Sequence, residues 1–537
     1  MNTLLLFIAV IILVCVFLNN ASFKVGIPVL LAFILFGILF GHNGVLRFDS
    51  IGFGMAENLS TVALIFIMFY GGFGTRWSSA KPVVAESALL ATVGVIMTAM
   101  VTGVFCHYVL GWAWTEALLL GAVVSSTDAA SVFSILRSRK LGLKNGLAPL
   151  LEMESGSNDP CSYMMTIVMI SVIESGMTAG RMVGMLFAQL GFGALAGVLI
   201  ARFVIFLLDR IKFATSGFDS LFMIAIALFA YAFPSLIGGN GYLSVYIVGI
   251  MVGNHDFPEK KEMVHFFDGF TGLMQVVIFF MLGLLARPAD LGRSVVPALA
   301  IFLALLFIVR PIALTAVLKP FGKKYGFRQI ALLSFCGLRG AASIVFAILA
   351  ISGSYVLEHD IFNIVFCIVL LSIGLQGTLI PYVAQKLDMI DKDANVMKTF
   401  TDFVEETDLR FSELKISAEH PWASKKVMDL GLPKDILLCM IRRQDGTELV
   451  PNGHTVICEG DTVLFCSKEA KGVNKCVVRE QVISARSKYV GKELREYPVE
   501  KAQVLLIRRG GETIIPHGST VLQADDILFI NNSIKNK

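Results

Sequence analysis

Charge is scarce in this 537-residue chain: Asp, Glu, Lys and Arg make up 16% of it, against about 25% in soluble globular proteins. The net charge is only +4, and no basic block with interleaved aromatics occurs, which argues against a nucleic-acid partner. The nine cysteines include no C-x-x-C pair, so the usual zinc and dithiol-redox spacings are absent. Cys15, Cys106, Cys161, Cys336 and Cys367 lie in apolar sequence and read as small hydrophobes, and Cys439, Cys458, Cys466 and Cys476 follow in the more polar C-terminal part. That part also lacks a G-x-G-x-x-G after a strand, so no dinucleotide-binding fingerprint is present there. There is no T-V-G-Y-G run of the kind that builds a tetrameric selectivity filter.

What is abundant is hydrophobic sequence, 55% of the chain. Apolar blocks fall near 3–19, 26–41, 58–74, 83–110, 114–136, 158–177, 182–209, 217–234, 240–254, 267–286, 294–318, 329–352 and 359–386. A span needs about 20 apolar residues, so these thirteen blocks predict a polytopic α-helical membrane domain over residues 1–390. The first block has neither a basic flank nor a small-residue cleavage site and reads as a span. Alternate loops are basic, with Arg76 and Lys81, then Arg137, Arg139, Lys140 and Lys144, then Arg210 and Lys212, Lys260 and Lys261, and Lys319, Lys323, Lys324 and Arg328. The positive-inside rule then puts the N-terminus outside and the C-terminus in the cytoplasm.

From about residue 400 short alternating runs such as 435–443 and 502–509 predict strands. LVPNGHTVICEGDTVLF (449–465) returns as IIPHGSTVLQADDILFI (514–530), 65 residues on. Each copy has a Pro-x-Gly turn, and Gly460-Asp461 and Asp525-Asp526 mark a turn before a final strand. Two copies predict a soluble tandem repeat of small α+β lobes, over 400–472 and 477–537.

Acids inside apolar sequence are the candidate chemistry. The stretch 121–160 holds Asp128, Glu154 and Asp159, and a carboxylate in hydrocarbon costs several kcal/mol unless paired, hydrated or neutralised. The bland alternative is an acidic loop between two spans, yet the loop's own charges are basic. Ser125-Ser126-Thr127-Asp128 interrupts an apolar run. It reads either as a helix break lining an ion site or as a helix end at the interface. Arg137 lies nine residues on, about 13 Å along a helix, which favours the break. Pro160 fits the first turn of a helix. On that helix Ser155 and Asp159 share a face, and with Asp128 they could offer hydroxyl and carboxylate oxygens to a monovalent cation. Glu154 points elsewhere, and the buried base Arg339, in FCGLRGAASIVF (335–346), is its candidate partner because arginine keeps its proton. AASIVFAIL (341–349) also echoes AASVFSIL (129–136), and matched interruptions in two halves of a chain point to a transporter's site.

SSTDAA (125–130), ESGSNDP (154–160) and GLRGAAS (337–343), in this order and spacing, resemble the cation/proton antiporter superfamily, and within it the electroneutral branch of NhaP-type exchangers. The resemblance covers about 1–390. It implies inverted repeats with two unwound crossing helices and a homodimer. It also implies that Asp159 binds the proton or the cation, with Asn158 where electrogenic relatives carry a second Asp. Thr127, Asp128 and Ser155 would support the ion, and Glu154 and Arg339 would form a structural ion pair. No cofactor is implied. FIMFYGGFGTRW (66–77) lacks the acid that relatives often place there. The two C-terminal repeats resemble the C-terminal subdomain of the regulator-of-potassium-conductance family, whose members sense ligands, in some cases cyclic di-AMP; a purely structural role for the lobes is the alternative. Together these predict exchange of K+, with Na+ second, for H+ across a bacterial cytoplasmic (inner) membrane. The competing classes are a ligand-gated cation channel and an intramembrane enzyme, built on Asp128 with Asp159 or on a metal at His255 and His265.

Overall fold

The computed structural model describes residues 29–41, 52–139, 141–210, 217–257, 260–287, 291–353, 355–391, 409–418, 420–433, 436–445, 447–468, 477–484, 487–497, 502–509, 512–514 and 516–532, with residues 9, 13 and 17. The first apolar block therefore lies mostly outside the described residues. The chain divides into two compact units, Met1–Glu405 and Glu406–Lys537.

The first unit is helical. α1 (Val29–Phe40) and α2 (Phe53–Gly74) are followed by α3 (Lys81–Leu110), which passes through a π turn at Leu90–Gly94. Next come α4 (Trp114–Val123), α5 (Ala129–Ser138), α6 (Leu147–Ser175), α7 (Ala179–Leu208), α8 (Phe218–Leu236), α9 (Gly241–Gly253) and α10 (Lys260–Leu285). α11 runs from Leu291–Ala304 through a π turn at Leu305–Val309 into Arg310–Leu318. α12 (Phe327–Phe335) and α13 (Ala341–Ile351) precede α14, which runs from Ile361–Leu371 through a π turn at Ser372–Gly377 into Thr378–Lys386.

Among the described residues seven helices are long and apolar enough to cross a membrane. Helix α7 turns Phe187, Leu195, Leu199 and Phe203 outward. A row of large apolar side chains facing out suits lipid and would be a liability in water. Inside, Phe69, Phe73, Tyr242, Phe267 and Phe279 are almost wholly enclosed and knit α2, α9 and α10 together. The result is a multi-pass membrane protein.

The predicted blocks correspond to helices with two classes of difference. Blocks 114–136 and 329–352 are each two half-helices, α4 with α5 and α12 with α13, separated by a turn and irregular backbone at 124–128 and 336–340. The block expected at 158–177 begins at Leu147, so Pro160 lies well inside α6 and not in its first turn. The polar run 152–159 concealed that early start, because apolar windows do not register a helix whose buried face is polar.

In the first unit β1 (Gly142–Leu143) pairs with β2 (Ile390–Asp391), and among the described residues the second unit holds two four-stranded antiparallel sheets. β3 (Leu409–Lys415), β4 (Ile436–Arg442), β5 (Glu448–Leu449) and β6 (Thr462–Lys468) are ordered β3-β6-β4-β5. β7 (Val477–Val482), β8 (Ala502–Arg509), β9 (Glu512–Ile514) and β10 (Ile527–Asn532) are ordered β7-β10-β8-β9. The internal repeat is thus a repeat of topology. Gly460 and Asp525 both take positive φ, 82° and 66°, which turns the chain into β6 and β10. Asp461 and Asp526, 65 residues apart, are buried and paired with Arg443 and Arg509. The expected α-helical part of each lobe is not found among the described residues, which hold only 3-10 turns at Val427–Asp429 and Leu494–Glu496.

Candidate functional site: two unwound segments around Asp159

An unwound segment inside a membrane must satisfy its own backbone. At the first break, Ser155 on α6 does much of this: its hydroxyl donates to the Thr127 carbonyl at 2.7 Å and accepts from the Ala129 amide at 2.8 Å. Ser162, two turns along α6, donates to the Ala122 carbonyl at 2.6 Å. At the second break, Gln376 donates to the Phe335 carbonyl at 2.6 Å, and the Arg339 amide donates to Ser372 Oγ at 2.9 Å. Both partners come from the π turn of α14. The two breaks meet where the Asp128 amide donates to the Leu338 carbonyl at 2.8 Å. A side chain at Gly340 would place its Cβ 2.1 Å from Asp128 Oδ2, so only glycine permits the crossing.

Four half-helix ends meet here, and their partial charges need partners. Arg339, 2% exposed, donates to the carbonyls of Ser125 and Ser126 at 3.0 and 2.5 Å, in the unwound segment just past the C-terminal end of α4. Asp128 faces the opposite polarity. Its carboxylate accepts from the Ser131 amide at 3.1 Å and from the Ser131 hydroxyl, which makes it the N-cap of α5, and it lies against Gly340 at the start of α13. Asp128 is therefore occupied by helix capping.

Asp159 and Asn158 face the first break from α6. Ser126 donates its hydroxyl to Asp159 Oδ1. Asn158, wholly buried, donates from Nδ2 to Thr127 Oγ1 at 2.6 Å, and its Oδ1 has no hydrogen-bond partner among the described residues. Tyr246 of α9 closes over the next turn, with Ser157 donating to its hydroxyl at 3.4 Å. Asn240 at the start of α9 donates to the Pro160 carbonyl at 2.8 Å. The structure thus brings Thr127, Asp128, Ser155, Asn158 and Asp159 together. The uncommitted acceptors are oxygens of Asn158 and Asp159, the ligand type that hard monovalent cations take.

The expected pair between Glu154 and Arg339 is corrected. Glu154 Oε1 accepts from Arg310 Nη1 at 2.7 Å, with both side chains almost fully buried. Arg310 escaped the sequence reading because it sits within an apolar block, and the signal that could have found it is the Arg-Pro step there (Arg310-Pro311). Its neighbourhood is close enough that a Cβ on Gly337 would lie 2.7 Å from Arg310 Nε. Near Tyr70, where α2 has no acid of its own, the Tyr70 hydroxyl donates to Asp268 Oδ1 of α10 at 3.3 Å. His255 pairs with Asp209 at 2.8 Å.

Comparison with known proteins agrees with the motif reading. Residues 8–386 match the family model described as the transmembrane sodium/hydrogen exchanger, and 411–471 and 478–531 each match the TrkA-C domain. The chain is 33% identical to the K(+)/H(+) antiporter NhaP of Alkalimonas amylolytica, over 90% of this chain and 85% of that one. It is 31% identical to a K(+)/H(+) antiporter of Shewanella oneidensis, over 87% and 82%. The solved structure of a sodium proton antiporter from Methanocaldococcus jannaschii at pH 8 superposes with a TM-score of 0.61 at 23% identity, covering 70% of this chain and 99% of that one, a likeness of fold. This chain belongs to the transmembrane sodium/hydrogen exchanger family and is a monovalent cation/proton antiporter, a secondary transporter with two C-terminal TrkA-C domains.

Proposed function

We propose that the chain exchanges K+ for H+ at Asp159, with Na+ the second choice of cation. One observation carries this reading: Asp159 lies against the unwound 124–128 segment, next in sequence to Asn158, whose Oδ1 has no hydrogen-bond partner among the described residues. A carboxylate there binds a proton or a cation, and each displaces the other. If the empty carboxylate is too costly to carry between the two sides, only loaded forms switch, and that couples the fluxes. Asn158 brings no charge of its own, so one cation exchanges for one proton. The preference for K+ is supported by two relatives named as K(+)/H(+) antiporters that share both parts of the chain.

In this reading residues 1–390 are the exchanger, and the lobes over 400–472 and 477–537 are cytoplasmic and regulate it, with a nucleotide such as cyclic di-AMP as a candidate ligand. The protein acts as a homodimer in the bacterial cytoplasmic membrane, with its N-terminus outside. The test is relaxation of a pH gradient in inside-out vesicles with K+, Na+ and Li+ supplied separately. K+ is expected to give the largest response. Asp159→Asn should abolish exchange at unchanged expression, and exchange retained by that variant would sink the assignment.

A further inference from the structure

The loop joining α5 to α6 connects the first unwound segment to the helix that carries Ser155, Asn158 and Asp159. Its middle does not hang free. Gly142–Leu143 (β1) pairs antiparallel with Ile390–Asp391 (β2), in the register Gly142 with Asp391 and Leu143 with Ile390. The Lys144 amide donates to the Met389 carbonyl at 2.9 Å, and Lys144 Nζ bonds Asp388 Oδ1 at 2.9 Å. Leu143 and Met389 are both buried, in one cluster with Val132 and Leu136 of α5, Leu147 and Leu150 of α6, and Ile380 and Ala384 of α14. Tight turns hold both sides in place, with positive φ at Asn145, Gly146 and Asp388. The ion pair is solvent-exposed and contributes little by itself; the strand pairing and the shared core make the junction.

Two further facts give the junction a role. Ile390–Asp391 follow the end of α14 at Lys386 after three residues, and the chain runs on from there to the C-terminal lobes. The same helix carries Ser372 and Gln376, which hold the Arg339 amide and the Phe335 carbonyl at the second break. A shift of residues 388–391 is therefore felt at both breaks, at one through the α5–α6 loop and at the other along α14.

We propose that the pairing of Gly142–Leu143 with Ile390–Asp391 is the element through which the C-terminal lobes position the two unwound segments and so regulate exchange at Asp159. The residues of this junction are positioning residues, and they act through α5, α6 and α14. The proposal rests on the reading that the lobes regulate exchange at Asp159.

Because Lys144 and Met389 are a hydrogen-bonded pair, their neighbours Leu143 and Ile390 form a non-hydrogen-bonded pair, whose Cα atoms in antiparallel sheets lie about 4.5 Å apart, within disulfide reach. Leu143→Cys/Ile390→Cys therefore makes a lock that closes on oxidation and opens on reduction. Gly142→Cys/Asp391→Cys is a second lock that leaves the Leu143 core contact intact. The readout is the pH of half-maximal K+/H+ exchange in inside-out vesicles. It is measured for the full chain and for a chain ending at residue 400, with the unsubstituted protein under the same oxidant as control. Met1–Glu405 is a compact unit by itself, and 70% of this chain covers 99% of the solved Methanocaldococcus chain, so the shortened chain keeps the membrane unit. In the open state full and shortened chains should differ in midpoint, and in the locked state the difference should vanish, returning on reduction. A difference that survives locking in both double-cysteine proteins overturns the junction while leaving regulation by the lobes intact. If full and shortened chains coincide even without substitutions, the lobes do not regulate and the proposal falls with that reading.

Discussion

The pairing of Glu154 with Arg310 is the part of the site where sequence and structure diverge, and it makes a quantitative prediction. The bond is 2.7 Å long and both side chains are at most 5% exposed. Breaking a buried pair by removing one partner leaves the other charge uncompensated, at a cost of about 3–5 kcal/mol. Glu154→Gln keeps the shape and removes the charge, so it should destabilise the membrane unit by that amount, and Arg310→Met should do the same. Replacing both, as Glu154→Leu/Arg310→Met, removes both desolvation costs at once, and such exchanges are often neutral or stabilising by about 1–4 kcal/mol. The double variant is therefore expected to recover most of what either single change loses.

The cycle is read from unfolding midpoints of detergent-solubilised protein, followed by loss of the monodisperse gel-filtration peak on heating. For domains of 150–250 residues each kcal/mol moves the midpoint by about 2–4 °C, so single substitutions in this larger unit should lower it by roughly 5–10 °C. The control cycle pairs Glu154→Gln with Arg339→Met. Arg339 Nη1 donates to the carbonyls of Ser125 and Ser126 and shares no hydrogen bond with Glu154, so its coupling to Glu154, carried by charge alone, should be smaller than that of Arg310. Coupling as large for Glu154 with Arg339 as for Glu154 with Arg310 would refute the reasoning.

Two other outcomes follow from distances. Gly340→Ala would drive a methyl to 2.1 Å from Asp128 Oδ2 and 2.6 Å from its Cβ, overpacking that costs about 1–3 kcal/mol; the initial rate of exchange should fall far more than expression, and an unchanged rate would show that the crossing tolerates a side chain. In the second lobe, burial pushes the Asp526 carboxyl up, but the hydrogen bonds from Arg509 and the Gln523 amide, with the Arg509 charge, outweigh it and hold it below the usual carboxylate range. Its contribution is thus fully present above the unfolded-state value of about 3.9 and is lost as pH falls through the lower native value. Amide exchange in β8 and β10 of the full chain, corrected for intrinsic rate, should quicken on acidification below about pH 4, and Asp526→Asn should blunt that response.

The breaks were legible because a break is a local event. Four polar residues in an apolar run, at 125–128, cannot lie in lipid as plain helix, and the Ala-Ala-Ser that follows each interruption is the first turn of α5 and of α13. The turns into β6 and β10 were legible for the same reason, since Gly-Asp and Asp-Asp steps carry the positive φ themselves. The start of α6 was not, because Leu147, Leu150 and Leu151 are cut off from the later apolar run by the polar stretch 152–159, whose Glu154, Ser155 and Asn158 are buried, and hydropathy records affinity for lipid, not for a polar neighbour.

Pairings between helices were the other gap. Periodicity says which residues of one helix share a face, and it placed Ser155 with Asp159. It does not say what stands opposite, and Ser126, the donor to Asp159, comes from 33 residues away. Assigning Glu154 to Arg339 as the available acid for a base that keeps its proton failed for a physical reason. Arg339 turns its hydrogen bonds to the carbonyls freed just past α4, which present partial negative charge, and Asp128 caps the positive end of α5. In a broken-helix site the backbone supplies part of the counter-charge, so an acid such as Glu154 is left for whichever base lacks a helix end, and here that base is Arg310.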